Sequence, residues 1–332
     1  MKLLSKMIQL LNYWTKFRKN EHQNSIGEKK MAIRKNSKRT VEVIQQLVRW
    51  KNERTGIFAN SSLPETLLPK GVEKGSYEQI MFITMCSSID YQRDADALWD
   101  AGRDTWNDEN TRWVFFPNLV KQKTPEDLSK DLQKYRLSKK PTKDANIWRT
   151  VSLSFLDLFD GDPRNLFEKF EYDALQIRSH MRGLGAKVFP YLAGSTGTGK
   201  INSMWIRILH DDANIPFKNY EKMPLPIDIH TMRATITTGC LVGKYNGTFQ
   251  ELTGMAKNAW AEACENLTYS PLDLDEALFN LSRYGCSKIR NGSCPFINEC
   301  KLSDFCVTKN HQSKFELNPN EGKIDTFYPS DE

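Results

Sequence analysis

An all-α fold is expected for this chain, and three observations carry the expectation. Apolar residues recur at helical spacing, as in Val41, Ile44, Leu47 and Val48. Helix-start chemistry is repeated. Thr248-Phe249-Gln250-Glu251 is a capping box, and Ser270-Pro271 pairs a capping serine with a proline at the first helical position. Convincing alternating strands are scarce, and no internal repeat is present. With 332 residues, 39% of them apolar and 11% aromatic, the chain can bury two modest cores or one large one.

Met1 to Phe17 reads as an amphipathic helix, followed by a polar, basic linker from Arg18 to Arg39. Thr40 is placed to cap a helix running to Trp50. Residues 54–75 read as loop, and Tyr77 to Trp106 as helical. Short helices interrupted by Pro117, Pro125 and Pro141 fill 107–150. Phe155 to Phe159 and Leu166 to Met181 are helical again, ending at Gly183-Leu184-Gly185. A glycine-rich turn, Gly194 to Gly199, precedes an apolar helix from Ile201 to Leu209. The capping box starts a helix to about Leu267, and Ser270 starts one that Gly285 stops just before Cys286.

Charge is unevenly spread. Residues 1–40 carry 11 Lys/Arg against 2 Asp/Glu, while the remainder carries 36 against 39. A basic extension of this kind can contact nucleic-acid phosphates or lie as a solvated tail. No apolar run is long enough to span a membrane, and no signal-peptide cleavage site is seen, so a cytoplasmic location is expected.

Three features can carry chemistry. Cys286, Cys294, Cys300 and Cys306 fall within 21 residues of one another. In a cytosolic chain such a group favours metal over disulfides. Four thiolates suit a [4Fe–4S] cluster, and zinc is the alternative although no C-x2-C knuckle is present. Nearby Lys288, Arg290 and Lys301 can reach a phosphate. Asp228, in Pro226-Ile-Asp-Ile-His230, precedes a helix expected near Thr231. It is either an N-cap or a carboxylate held charged for catalysis. The turn Gly194-Ser-Thr-Gly-Thr-Gly-Lys200 fits the first part of a nucleotide-phosphate loop, but Ile201 stands where that motif needs Ser or Thr. The βαβ pattern is absent as well, so no nucleoside triphosphate is expected as a ligand. Exposed amides of a glycine turn can instead grip a DNA phosphate. The aromatics Trp106, Trp113, Phe115 and Phe116 read as core or as a stacking surface for a base.

Together these residues resemble the helix-hairpin-helix DNA glycosylase superfamily, especially endonuclease III-like enzymes with a C-terminal iron–sulfur loop. The resemblance spans roughly 76–310. Pro226 to His230 with Arg233 is similar to the segment carrying the family's catalytic Asp. Met85-Cys-Ser-Ser-Ile-Asp90 is weakly similar to a family helix, and Thr196 to Lys200 takes the hairpin place. The cysteine spacing departs from the family's C-x6-C-x2-C-x5-C.

The resemblance implies two helical domains with a DNA-binding cleft between them. The expected divisions are a basic extension at 1–40, a discontinuous domain of 41–75 and 240–332 holding the cluster loop, and a barrel domain at 76–239. It further implies a monomer acting on double-stranded DNA. Asp228 would be the catalytic carboxylate, and Lys200, its pKa lowered by burial, the Schiff-base nucleophile, with Lys187 as rival. Gly197, Gly199 and His230 would contact DNA, and the four cysteines would hold a [4Fe–4S] cluster. The unusual aromatic segment 99–116 would suit a bulky, phage-type modified base. The alternative is a non-catalytic iron–sulfur DNA-binding or redox-sensing protein.

Overall fold

The structure, a computed structural model, describes residues 33–59, 61–195, 198–243, 245, 247–289 and 293–307 with side chains, and the backbone of 314–318 and 323–327. The helix expected at Met1–Phe17, most of the 1–40 extension, Gly197 and Arg290 lie outside the described residues.

The expected all-α architecture is present. In chain order the helices are α1 (Ser37–Glu53), α2 (Tyr77–Ser88), α3 (Ala95–Asn107), α4 (Pro117–Gln122), α5 (Pro125–Lys134) and α6 (Pro141–Phe159). They continue as α7 (Pro163–Lys169), α8 (Ala174–Leu184), α9 (Lys200–Asp211), α10 (Ile229–Thr237), α11 (Phe249–Glu265) and α12 (Asp275–Asn280). Two short antiparallel ladders accompany them: β1 (Arg34–Lys35) on β2 (Leu241–Val242), and β3 (Lys314–Asn318) on β4 (Lys323–Phe327). The second ladder was not expected, although Lys-Phe-Glu-Leu-Asn and Lys-Ile-Asp-Thr-Phe both alternate.

Short polar side chains set the helix starts. Ser76, Asp94, Thr124, Asp162, Asp173 and Asp228 each accept a backbone N–H of the first turn. Both halves of the Thr248 capping box are made, which contributes about 1 kcal/mol to α11. Proline opens α4 to α7, where its missing N–H needs no partner.

Several boundaries differ from the sequence reading. Asn36, not Thr40, caps α1. Its side chain accepts from the Arg39 amide, while the Thr40 hydroxyl folds back onto the Asn36 carbonyl at 2.8 Å. Residues 77–106 divide at Ile89 because Asp94 caps a fresh helix. Residues 166–181 divide at Phe170–Asp173, where Glu171 and Tyr172 take left-handed backbone. The helix after Ser270 begins as a tight 3-10 turn at Pro271–Leu274 and ends as a π turn at Leu281–Gly285.

Two hydrophobic cores result. The first is built on α2, buried continuously from Gln79 to Ser88, with Trp99, Phe115, Trp148, Phe155, Phe167 and Trp205 around it. The Trp205 indole donates to the Thr84 hydroxyl at 3.0 Å, so its polar end is satisfied inside. The second core gathers α1, α10, α11 and α12 around Trp50, Phe58 and Trp260, and the Trp260 indole donates to Thr235 at 2.9 Å. Core membership changes between Met223 and Leu225. Met232 and Ile236 bury α10 in the second core, joined by Ile227 just before it.

Trp106 and Phe115 lie in the first core, and Trp113 and Phe116 pack on its edge, with the Trp113 indole bonded to Asp131 at 2.8 Å. None of the four lines the cleft described next, so the stacking role considered for them is not theirs.

Candidate functional site

A cleft of about 1150 Å³ opens between the two cores. Its walls include Gly199, Lys200, Asp228 and His230, which the sequence pointed to, together with Glu65, Asp90, Arg207 and Asp275, to which it assigned no role.

Pro224 and Pro226 restrict the backbone before α10, and Asp228 caps it. Asp228 Oδ1 accepts from the His230 and Thr231 amides, each at 2.8 Å. Among the described residues its Oδ2 accepts no hydrogen bond, so one oxygen holds the helix and the other is available on the cleft. The N-cap and active-site readings are thus compatible in a single carboxylate. His230 is half-buried, with Nδ1 3.3 Å from the Ser282 hydroxyl and its ring edge-on to Phe279. Burial, then the positive charges of Arg233, Arg283 and Lys200, lower its pKa against the pull of Asp228. At neutral pH it presents a neutral imidazole.

Lys200 is the first residue of α9 and follows Gly199 directly. Gly199 has φ +68, and a Cβ there would stand 2.8 Å from the Gly194 carbonyl oxygen. Only glycine fits that left-handed, close-packed position. Lys200 Nζ lies 3.9 Å from Asp90 Oδ2. Burial is the largest influence on the amine and lowers its pKa. Asp90, Asp228, Asp275 and Glu65 together outweigh it, and the net shift is upward. The lowered pKa expected from burial alone is overturned, because a buried amine facing carboxylates is held charged. Lys187 is exposed and does not line the cleft.

The floor is a buried ionic group. Arg207, from α9, donates through Nη2 to Glu65 and through Nε to Asp275 Oδ2 at 3.0 Å. Burial, opposed by Arg207 and aided by Asp228 and Glu65, pushes the Asp275 carboxyl up to about 7. Aromatic surface comes from Tyr91 and Tyr191, stacked with centroids 4.4 Å apart and planes 3° from parallel. Lys143 Nζ sits over both rings and donates to the Tyr191 hydroxyl at 2.8 Å.

The four clustered cysteines converge behind the cleft. Cys286, Cys294, Cys300 and Cys306 line one small cavity with Trp50, Ile57, Phe296 and Leu302. Burial first, then the neighbouring thiols, raise the pKa of Cys286, and burial pushes Cys300 up to about 11. Such thiols stay protonated unless a cationic group joins them. Among the described residues no three His, Cys, Asp or Glu side chains converge tightly enough to grip one metal ion. Ser287 and Lys288, next to Cys286, line the cleft, so the cysteine loop abuts it. Lys301 is ion-paired to Glu53 at the surface.

No family model matches the chain, and no curated protein matches it. Among solved structures, the chain is similar to a trapped endonuclease III–DNA covalent intermediate, an estranged-adenine complex, at 12% identity. The match covers 82% of this chain and 97% of that one, with a TM-score of 0.49.

Proposed function

We propose that this protein is a DNA N-glycosylase that receives a nucleotide flipped out of a duplex into the cleft between its cores. One observation carries the reading. Asp228 and Lys200, each at the first turn of its own helix, open onto a single cleft beside the glycine turn that precedes Lys200. The turn's remaining amides and the neutral His230 would meet the DNA backbone and the flipped nucleotide.

Departure of a base leaves positive charge on the sugar. Asp228 offers Oδ2 to that charge, and Asp90, Glu65 and Asp275 add to the negative potential on the same side. Lys200 arrives as an ammonium, so it gives up a proton before its nitrogen can bond to C1′ of the sugar. Asp90, 3.9 Å away, favours the ammonium, so the proton leaves to water or hydroxide rather than to that carboxylate. The bond formed at C1′, followed by ring opening, gives a Schiff base from which the strand is cleaved. The raised proton affinity of Lys200 favours a second reading, in which water adds to the sugar and the enzyme only releases the base.

What supports an iron–sulfur cluster is that the four sulfurs share one apolar-walled cavity. Cys286, Cys294, Cys300 and Cys306 would hold it, and it would supply a redox-active brace for the loop that brings Ser287 and Lys288 to the cleft.

A bulky, phage-type modified base is the substrate class that the cleft volume suits. About 1150 Å³ exceeds the roughly 300–1,000 Å³ of ordinary small-molecule sites. Tyr91 and Tyr191 take the stacking role once given to 106–116. Release of small oxidised bases only, from a panel containing both kinds, would remove this part.

Borohydride trapping on a duplex with an abasic site tests the core reading. An adduct lost in Lys200→Ala and kept in Lys187→Ala supports the lysine route. Base release without an adduct gives the water route. Intact duplex binding with neither activity makes the protein a non-catalytic DNA binder.

A further inference from the structure

Outside the cleft lining, three cations meet at the carbonyls of Gly194 and Thr198. Arg178 and Arg182 stand one turn apart on α8, and Lys257 reaches in from α11 of the other core. Arg182 Nη1 donates to the Gly194 carbonyl, and Lys257 Nζ to the Thr198 carbonyl at 2.6 Å. Arg178 Nε is shielded from solvent and has no hydrogen-bond partner among the described residues.

None of the three forms an ion pair with a described carboxylate, whereas Arg207, Arg283 and Lys51 all do. Acids are not in short supply, since residues 41–332 hold 39 of them against 36 cations. The cations instead act on one another. Burial, then Arg178 and Arg182, lower the Lys257 pKa to about 8. Burial, then Arg182, lower that of Arg178.

A cluster of like charges, partly desolvated and drawn from two cores, is unfavourable until an anion joins it. Arginine forks and a lysine point charge are the donors that phosphate oxygens take. We propose that Arg178, Arg182 and Lys257 form a binding site for a backbone phosphodiester of duplex DNA, gripped from both cores at the turn that leads into Lys200. This rests on the cleft being a DNA site and adds side-chain contacts beyond the turn's own amides. It is independent of base identity, because a phosphate carries no sequence.

Arg178→Met is the decisive variant. A structural arginine would be missed on removal. A phosphate ligand held against like charges would not be, so Arg178→Met is expected to melt at the same temperature as wild type or higher. Its affinity for a fluorescent duplex carrying an abasic site should fall about tenfold, and the slope of log affinity against log salt should shrink by about one. Lys257→Met should show the same slope change, and Lys257→Arg should restore it.

Unchanged duplex affinity and salt slope in Arg178→Met and Lys257→Met, with wild type binding normally, would overturn the site and leave the glycosylase reading standing. Competition by inorganic phosphate that depends on Arg178, without any effect of the variants on duplex binding, would assign the site to free phosphate and overturn it too. Failure of the wild-type protein to bind any duplex would overturn both.

Discussion

Two charge clusters of opposite design lie near Gly194 and Gly199. On the cleft, Glu65, Asp90, Asp228 and Asp275 face the cations Lys200 and Arg207. Off the cleft, Arg178, Arg182 and Lys257 face one another. The first cluster has excess negative charge where a sugar would become cationic. The second has excess positive charge where a backbone phosphate would pass. A nucleotide would bring both charges, and on the proposed reading each cluster would meet one of them. Paired charges would then serve the scaffold, and the unbalanced ones the ligand.

Removing a paired charge should therefore hurt the fold most. Arg207→Met strands Glu65 and Asp275 in the floor, and should cost about 3–5 kcal/mol of stability in chemical unfolding. The contrast with Arg178→Met is the test: equal destabilisation of the two variants would erase the distinction between the clusters. The next effect is on chemistry. Asp228→Asn keeps an N-cap but removes the charge on the cleft. Base release should fall about 10²–10³-fold with duplex affinity nearly intact. Retained release would take Asp228 out of the mechanism.

What was legible in the sequence was whatever the chain builds locally. Asp228 could be read from Pro226-Ile-Asp because proline and an N-cap act within a few residues. Lys200 could be read from the glycines before it. Thr248 and Ser270 were equally readable, since a capping box closes on itself. Arg207 and Glu65 are 142 positions apart, and only packing of the cores brings them together. The one available signal was an arginine amid the apolar run of α9, which needs a buried partner. The error about Lys200 has the same origin. Burial is foreseeable from an apolar helix, but the four surrounding carboxylates come from segments scattered over the chain. For Trp106, Trp113, Phe115 and Phe116 the core reading holds and the stacking alternative does not, a choice the sequence left open because rings that fill a core and rings that line a cleft have the same spelling.

The raised proton affinity of Lys200 gives a third prediction, about tenfold per pH unit. If the amine must lose its proton before attack, borohydride trapping should climb at that rate from neutrality toward the lysine's pKa. Asp90→Asn removes the carboxylate 3.9 Å away and should move the whole curve to lower pH. A flat trapping profile in wild type would mean that the acidic cluster does not hold Lys200 charged when DNA is bound.

The smallest effect is the most discriminating, because the cation cluster makes two observables move in opposite directions. Lys257 titrates near pH 8 in the folded protein and near 10.5 when unfolded. Between those values the unfolded chain binds more protons, so the stability contribution of this group rises with pH across the window. The charge that a phosphate needs is lost over the same range, so duplex affinity should fall severalfold as pH rises past 8. Lys257→Arg stays charged throughout and should flatten both slopes. Arg178→Met relieves part of the repulsion and should shift the transition of Lys257 to higher pH. An anion site explains opposed slopes, because the repulsion that strains the free protein is what the phosphate relieves. The stability slope follows from the lowered pKa whatever the cluster does, so the fall in affinity is the part that assigns it to a phosphate.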